Sequence, residues 1–136
     1  MATTTYLSNP VVTVNSVDLT DQATSATLTV RYDALESTAF GDTAHKFTAG
    51  LGNHELTVDL YMSYAASETY ATLAALVGTT TTVKVKPASG ANSATNPEMT
   101  LTGTYLEALP VMNAAMGTLA TISLTFKGGV YSVATS

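Results

Sequence analysis

His45 and His54 stand nine positions apart in one glycine-rich stretch, with Asp42 and Glu55 near them in sequence. Imidazoles and carboxylates are metal ligands, but a metal site draws on three or four groups that converge. Two histidines on a glycine-rich segment give no shared face, so they read as solvated or interface-capping groups. Gly50-Leu51-Gly52-Asn53-His54-Glu55 opens like a dinucleotide fingerprint, with Glu where the third glycine belongs. It also leads into a strand, not a helix, so the phosphate-cradling geometry is missing. Serine and threonine are plentiful, yet no serine sits in a G-x-S-x-G elbow and no His–Asp spacing suggests a triad. The residues assign no catalytic, cofactor or metal position, and an enzyme is not expected.

The elements around that stretch explain why it draws attention. Val11 to Val17 is β-rich and is expected to close at Asp18–Asp21. Ser25 to Tyr32 alternates, with Ala26, Leu28, Val30 and Tyr32 opposite Ser25, Thr27, Thr29 and Arg31, the period of a half-buried strand. Glu55 to Tyr64 alternates again, placing Leu56, Val58, Leu60 and Met62 inward and Glu55, Thr57, Asp59 and Tyr61 on the opposite face. Between these strands lies an arm over 33–54, far longer than the usual connection of about 2–6 residues. Phe40, Phe47 and Leu51 give it apolar anchors that a disordered tail would lack. An ordered arm that reaches another molecule is the better reading.

Farther along, Ser67 to Val77 is the one convincing helix. Ser67 is the expected N-cap, Gly78 the stop, and Tyr70, Leu73, Ala74 and Val77 the stripe facing the sheet. Thr79–Lys86, Met99–Leu109, Thr118–Phe126 and Val130–Val133 read as strands, with a hinge at Gly128–Gly129. No internal repeat or interdomain linker appears. The pattern is a mainly β domain spanning 1–136, a β-sandwich or open barrel with one flanking helix and a long inter-strand arm.

Composition narrows the function classes. The chain has 136 residues, 46% hydrophobic and only 11% charged, where about 25% charged is ordinary. Threonine fills the gap at roughly one residue in five, a β-branched hydroxyl suited to a half-dry strand face. A surface with few charges to desolvate suits meeting copies of itself. The net charge of −5 argues against nucleic-acid binding, which needs a basic stripe. With no cysteine the chain is indifferent to redox compartment. MATTTYLSNP lacks the features of a secretory signal, and no apolar run approaches the roughly 20 residues of a membrane span. A soluble protein made in the cytoplasm is expected.

From Val11 to Val133 the chain also resembles the tail tube (major tail) proteins of long-tailed bacteriophages. The resemblance rests on the order of VNSVDLTD, LESTAFGD with its GL turn, the acidic strand into a short helix, SATNPEMTLTGTYLEALPV, and GTLATISLTF. It implies a structural virion protein whose copies form hexameric rings, stacked into a tube through which the genome passes during infection. It further implies partners among itself and other tail proteins (tape measure, terminator and distal tail proteins), with no membrane partner and no specific DNA binding. Family members often carry a C-terminal immunoglobulin-like domain, which this sequence does not show, so no decorating domain is expected to project here.

On that reading Phe40, Gly41, Asp42, Phe47, Gly50 and Leu51 form an inter-ring arm, and Glu55, Thr57 and Asp59 are lumen-lining candidates. Two other readings stay open. Another virion part of related fold (tail terminator, head–tail completion or capsid decoration protein) would form one ring or isolated copies. A carbohydrate-binding β-sandwich would expose an aromatic face, for which Tyr61, Tyr64 and Tyr105 are the candidates.

Overall fold

The computed structural model describes residues 10–112 and 116–135. The reading of the first nine residues, and part of the Pro110–Gly117 connection, lie outside them. The described residues form ten strands and one short helix: β1 (Val11–Val14), β2 (Val17–Asp18), β3 (Ala23–Thr29), β4 (Tyr32–Glu36), β5 (Phe47–Gly52), β6 (Glu55–Tyr61), α1 (Thr69–Leu73), β7 (Thr80–Lys86), β8 (Glu98–Leu106), β9 (Thr121–Lys127) and β10 (Val130–Ala134). Eight strands make one antiparallel sheet in the order β2-β1-β7-β8-β9-β6-β3, with β10 on β8, while β4 and β5 pair only with each other.

The large sheet rolls up. Ala26 and Leu28 of β3 share one cleft with Val11 and Val12 of β1, although no pairing joins those strands. The result is the open barrel that the alternating strands predict. Its interior is filled by alternate residues: Leu56, Val58 and Leu60 of β6, Ile122, Leu124 and Phe126 of β9, Val83 of β7, and Leu101 and Leu106 of β8, all buried. The bend between β9 and β10 lets β8 pair with both. Gly128 (φ 74°) and Gly129 (φ 96°) make it, and a Cβ on Gly129 would sit 2.9 Å from the Thr102 carbonyl oxygen.

Four local expectations are corrected. The first β-run turns at Asn15–Ser16, where both residues have positive φ (50° and 67°), so Val17–Asp18 returns as β2. The Ser25–Tyr32 run divides, because the chain leaves the barrel near Arg31 and Tyr32 starts β4. Ala26 and Val30 are consequently exposed, as befits an edge strand with one unpaired side. The arm is not an irregular loop but a β-hairpin. Its alternation is hidden by a register shift between Tyr32 and Ala34.

The helix is also shorter than 67–77, running only from Thr69 to Leu73. Ser67 has φ 63°, outside the usual cap geometry, and Glu68 takes the N-cap place without a side-chain bond. Past Ala74 the chain tightens into turns, with Leu76 N–H donating to Leu73 O at 3.0 Å and Gly78 N–H leaving for Leu106 O at 2.8 Å. What docks the helix is Leu73, fully buried, and Thr69, whose hydroxyl donates to Tyr61 O at 2.7 Å. Tyr70, Ala74 and Val77 face solvent, so of the expected stripe only Leu73 points inward.

Candidate functional site

The hairpin β4–β5 stands off the barrel with Leu35 opposite Thr48 and Glu36 opposite Phe47. Its tip is wired by polar groups. Asp42 accepts the Ala39 N–H at 2.7 Å and returns its own N–H to Ala39 O at 3.0 Å, closing a turn with Phe40 and Gly41 at the apex. Lys46 Nζ lies 2.7 Å from the same carboxylate. That lysine first, and the Ala39 amide second, hold the Asp42 carboxyl below its ordinary value. Beside it, Glu36 takes the His45 ring and the Thr38 hydroxyl.

This wiring displays apolar groups instead of hiding them. Phe40 is 111% exposed, Phe47 62% and Leu51 81%, and Leu35 is exposed on the opposite face. Each such side chain forgoes about 1.5–3 kcal/mol that burial would supply. Phe47 and Leu51 lie four positions apart on β5 and so share a face. Gly50 is needed for close approach, since a Cβ there would come within 3.1 Å of Leu35 Cγ, whereas one at Gly41 would meet nothing.

At the arm's root lies His54, only 3% exposed. Its Nδ1 accepts the Arg31 N–H at 3.3 Å, and its ring packs edge-on to Tyr32 at 5.3 Å and tilted against Tyr131 of β10 at 5.8 Å. The expectation of a solvated or interface-capping histidine is therefore wrong for His54. It is a structural pin between hairpin and barrel, with nothing in the sequence pattern to mark Tyr131 as its neighbour. Among the described residues no three His, Cys, Asp or Glu side chains come together as a metal site.

The second surface is the outer face of β3, β6 and β9. Register places Thr27, Thr57 and Thr125 in one row, Ser25, Asp59 and Ser123 in the next, and Thr29, Glu55 and Lys127 in a third. Directly opposed residues of a sheet share a face, so this is a grid of hydroxyls with Asp59 inside it. Glu55 differs from Asp59, because Arg31 Nη2 sits 3.2 Å from its Oε2. Lys127 pairs with Glu107 at 2.8 Å, and hydrogen bonding with that lysine lowers the Glu107 carboxyl while raising the Lys127 ammonium. The third row is thus charge-balanced, and Asp59 is the carboxylate on this face with no ion pair among the described residues.

All nine expected positions fall on these two surfaces. Phe40, Gly41, Asp42, Phe47, Gly50 and Leu51 gather on the hairpin, and Glu55, Thr57 and Asp59 lie on the grid. Missed by sequence reasoning were Arg31, Lys127 and Glu107, whose pairing depends on strand neighbours distant in sequence, and the Ser123/Thr125 half of the grid. The alternation of Ser25, Thr27 and Thr29 was the visible half of that signal.

The sequence matches no protein-family profile and no curated protein. Solved structures do match. A sheath/tube terminator of an extracellular contractile injection system (PVC) superposes with TM-score 0.67 at 12% identity, covering 98% of this chain and 99% of that one. The tube-terminating cap of the anti-feeding prophage gives 0.67 at 13% identity, over 100% and 95% of the two chains. A chain of the native gene transfer agent virion gives 0.62 at 10%, over 93% and 95%. At such identities the likeness is one of fold: this chain has the phage tail-tube-like fold, mainly β.

Proposed function

We propose that this protein is a structural subunit of a phage-type tail tube, one tail-tube-like domain over residues 1–136 that closes hexameric rings and stacks them into a conduit for the genome. The observation that carries the reading is the hairpin of 32–52, which spends its own hydrogen bonds on presenting Phe40, Phe47 and Leu51 to solvent. Such a device has use only where another molecule covers it. A ring also removes the unpaired edge of β3 by joining subunits, the closure that protects barrels. Four strands from each of six subunits, at about 4.8 Å spacing and roughly 45° tilt, close at about 50 Å backbone diameter, wide enough for a duplex.

The hydroxyl grid with Glu55, Thr57 and Asp59 faces the lumen in this reading. Six chains at −5 make a ring of about −30, so DNA passes along the wall without specific binding. Within a Debye length of about 8 Å only lumen-facing acids act on it. The subunit works in the virion, assembled in the host cytoplasm, beside tape measure, terminator and distal tail proteins, and without enzymatic chemistry.

A second reading, a tube terminator that forms one ring, is favoured by the fold it shares with two proteins described as terminators of such tubes. Electron microscopy of concentrated protein separates the two. Stacked tubes that lengthen with concentration support the tube subunit, and single rings support the terminator. A monomer at every concentration, with the fold intact, would sink both. In the tube case Phe40→Ser, Phe47→Ser and Leu51→Ser together should leave a folded protein that no longer stacks.

A further inference from the structure

The seam of the open barrel holds an apolar cleft of about 220 Å³, lined by Val11, Val12, Ala26, Leu28, Val85 and Met99, with Pro87 and Lys86 at its margin. Small-ligand sites usually run to about 300–1,000 Å³, so this cleft suits one or two side chains and not a cofactor. Its charge is unusual for the chain. Arg31, Lys46, Lys84 and Lys127 each have a carboxylate partner, at 3.2, 2.7, 4.0 and 2.8 Å. Lys86 Nζ is bonded only to the Gly90 carbonyl oxygen, leaving it the basic side chain without a carboxylate among the described residues.

The hairpin is the complement of this cleft. Asp33, Glu36 and Asp42 against Lys46 give residues 33–53 a formal charge of −2, with His45 neutral. Phe40 rides fully exposed at its apex, on a turn that Asp42 locks. We propose that the hairpin of one copy docks at the seam of a neighbouring copy, with Phe40 in the cleft and the hairpin's net negative charge, carried by Asp33 and Glu36 since Lys46 offsets Asp42, on the side of Lys86. This deepens the tube reading and rests on it, since it names where the arm lands. A single large side chain in an apolar pocket, with a complementary charge beside it, is the usual form of an interface anchor.

The native chain has no cysteine, so paired cysteines report the contact directly. F40C and M99C are placed in separate chains of different tag length, mixed at concentrations where the protein self-associates, and oxidised. A covalent heterodimer carrying one tag of each length, formed in preference to either homodimer, is expected. P87C serves as a second cleft position should M99C fail to fold. Lys86→Glu should cut the cross-linked yield several-fold at low salt, with less effect at high salt.

Absence of the heterodimer at both cleft positions, or F40C homodimers in its place, overturns the proposal. An intrachain disulfide in an L7C/M99C protein overturns it too, by giving the cleft to the chain's own first residues. Microscopy of the same samples separates the two levels: tubes without the heterodimer sink only the seat of the arm, whereas no self-association sinks the tube reading with it.

Discussion

Glu55 and Asp59 are chemically alike and sit two positions apart on one strand face, yet the structure gives them different work. Glu55 is offset by Arg31, so converting it to lysine would set two cations against each other and loosen the junction of β3 and β6 before it altered any wall. Asp59 has only Ser25 and Ser123 beside it in register. Asp59→Lys should therefore leave assembly intact while making tubes retain DNA, through charge-assisted phosphate contacts that weaken as salt rises. A filter-binding assay on assembled tubes checks this, and unchanged DNA retention would place Asp59 away from the lumen. At the tip, Asp42 titrates below its ordinary 3.8 because Lys46 and the Ala39 amide favour the carboxylate. For a depressed carboxyl the contribution is complete above the unfolded value and is lost as pH falls through the folded one. Self-association should weaken below about pH 4 as the turn unlocks. Asp42→Asn should be weaker at neutral pH and lose that part of the acid response, read by sedimentation across pH 3–7.

At the scale of elements, the helix and the hairpin show what could and could not be read in advance. Period-two alternation identified β6 with the correct inward face, because it lies inside the sheet and one side must stay dry. The same rule held only in part for β3, an edge strand at the open seam, where Leu28 packs against the core but Ala26 stays exposed and Val30 lies beyond the strand's end. It overlooked the hairpin too, where a register shift and glycines break the period. Ser67 looked like a cap by residue type, but a cap is a backbone geometry, and its φ of 63° belongs to a turn. Leu73 was correctly placed inward, since no other residue of that segment is as apolar and as central. Leu73→Ala should cost about 2–5 kcal/mol, seen as a lower denaturation midpoint. Ser67→Ala should cost far less than the roughly 1 kcal/mol of a true cap, since no cap bond exists to lose. The hairpin, a two-stranded sheet with few contacts to the barrel, is marginal in water alone. Its amides should exchange early in the monomer and become protected on assembly, as hydrogen exchange would report.

For the whole molecule, the fold sets a division of labour: a barrel whose interior is filled in the single chain, and two surfaces left unfinished by it. The seam and the hairpin are its exposed apolar parts, which the proposed assembly would cover, and the hydroxyl grid is the polar part that the same proposal leaves open. How the hairpin joins the barrel then has a mechanical consequence. Besides its two strand connections, it is gripped through His54, wedged between Tyr32 of the hairpin and Tyr131 of β10, and the His54 carbonyl accepts the Gly128 N–H at 2.8 Å, at the bend into that strand. Tension applied to the hairpin is therefore shared between its chain connections to β3 and β6 and this joint into β10, which pairs with β8 inside the sheet. Strands loaded across many hydrogen bonds at once yield far less readily than strands unzipped singly, so in the proposed stack each barrel should keep its shape when the assembly bends or is pulled. Tyr131→Ala would soften that joint, and the stiffness of the filament, not the stability of its subunits, would register the change.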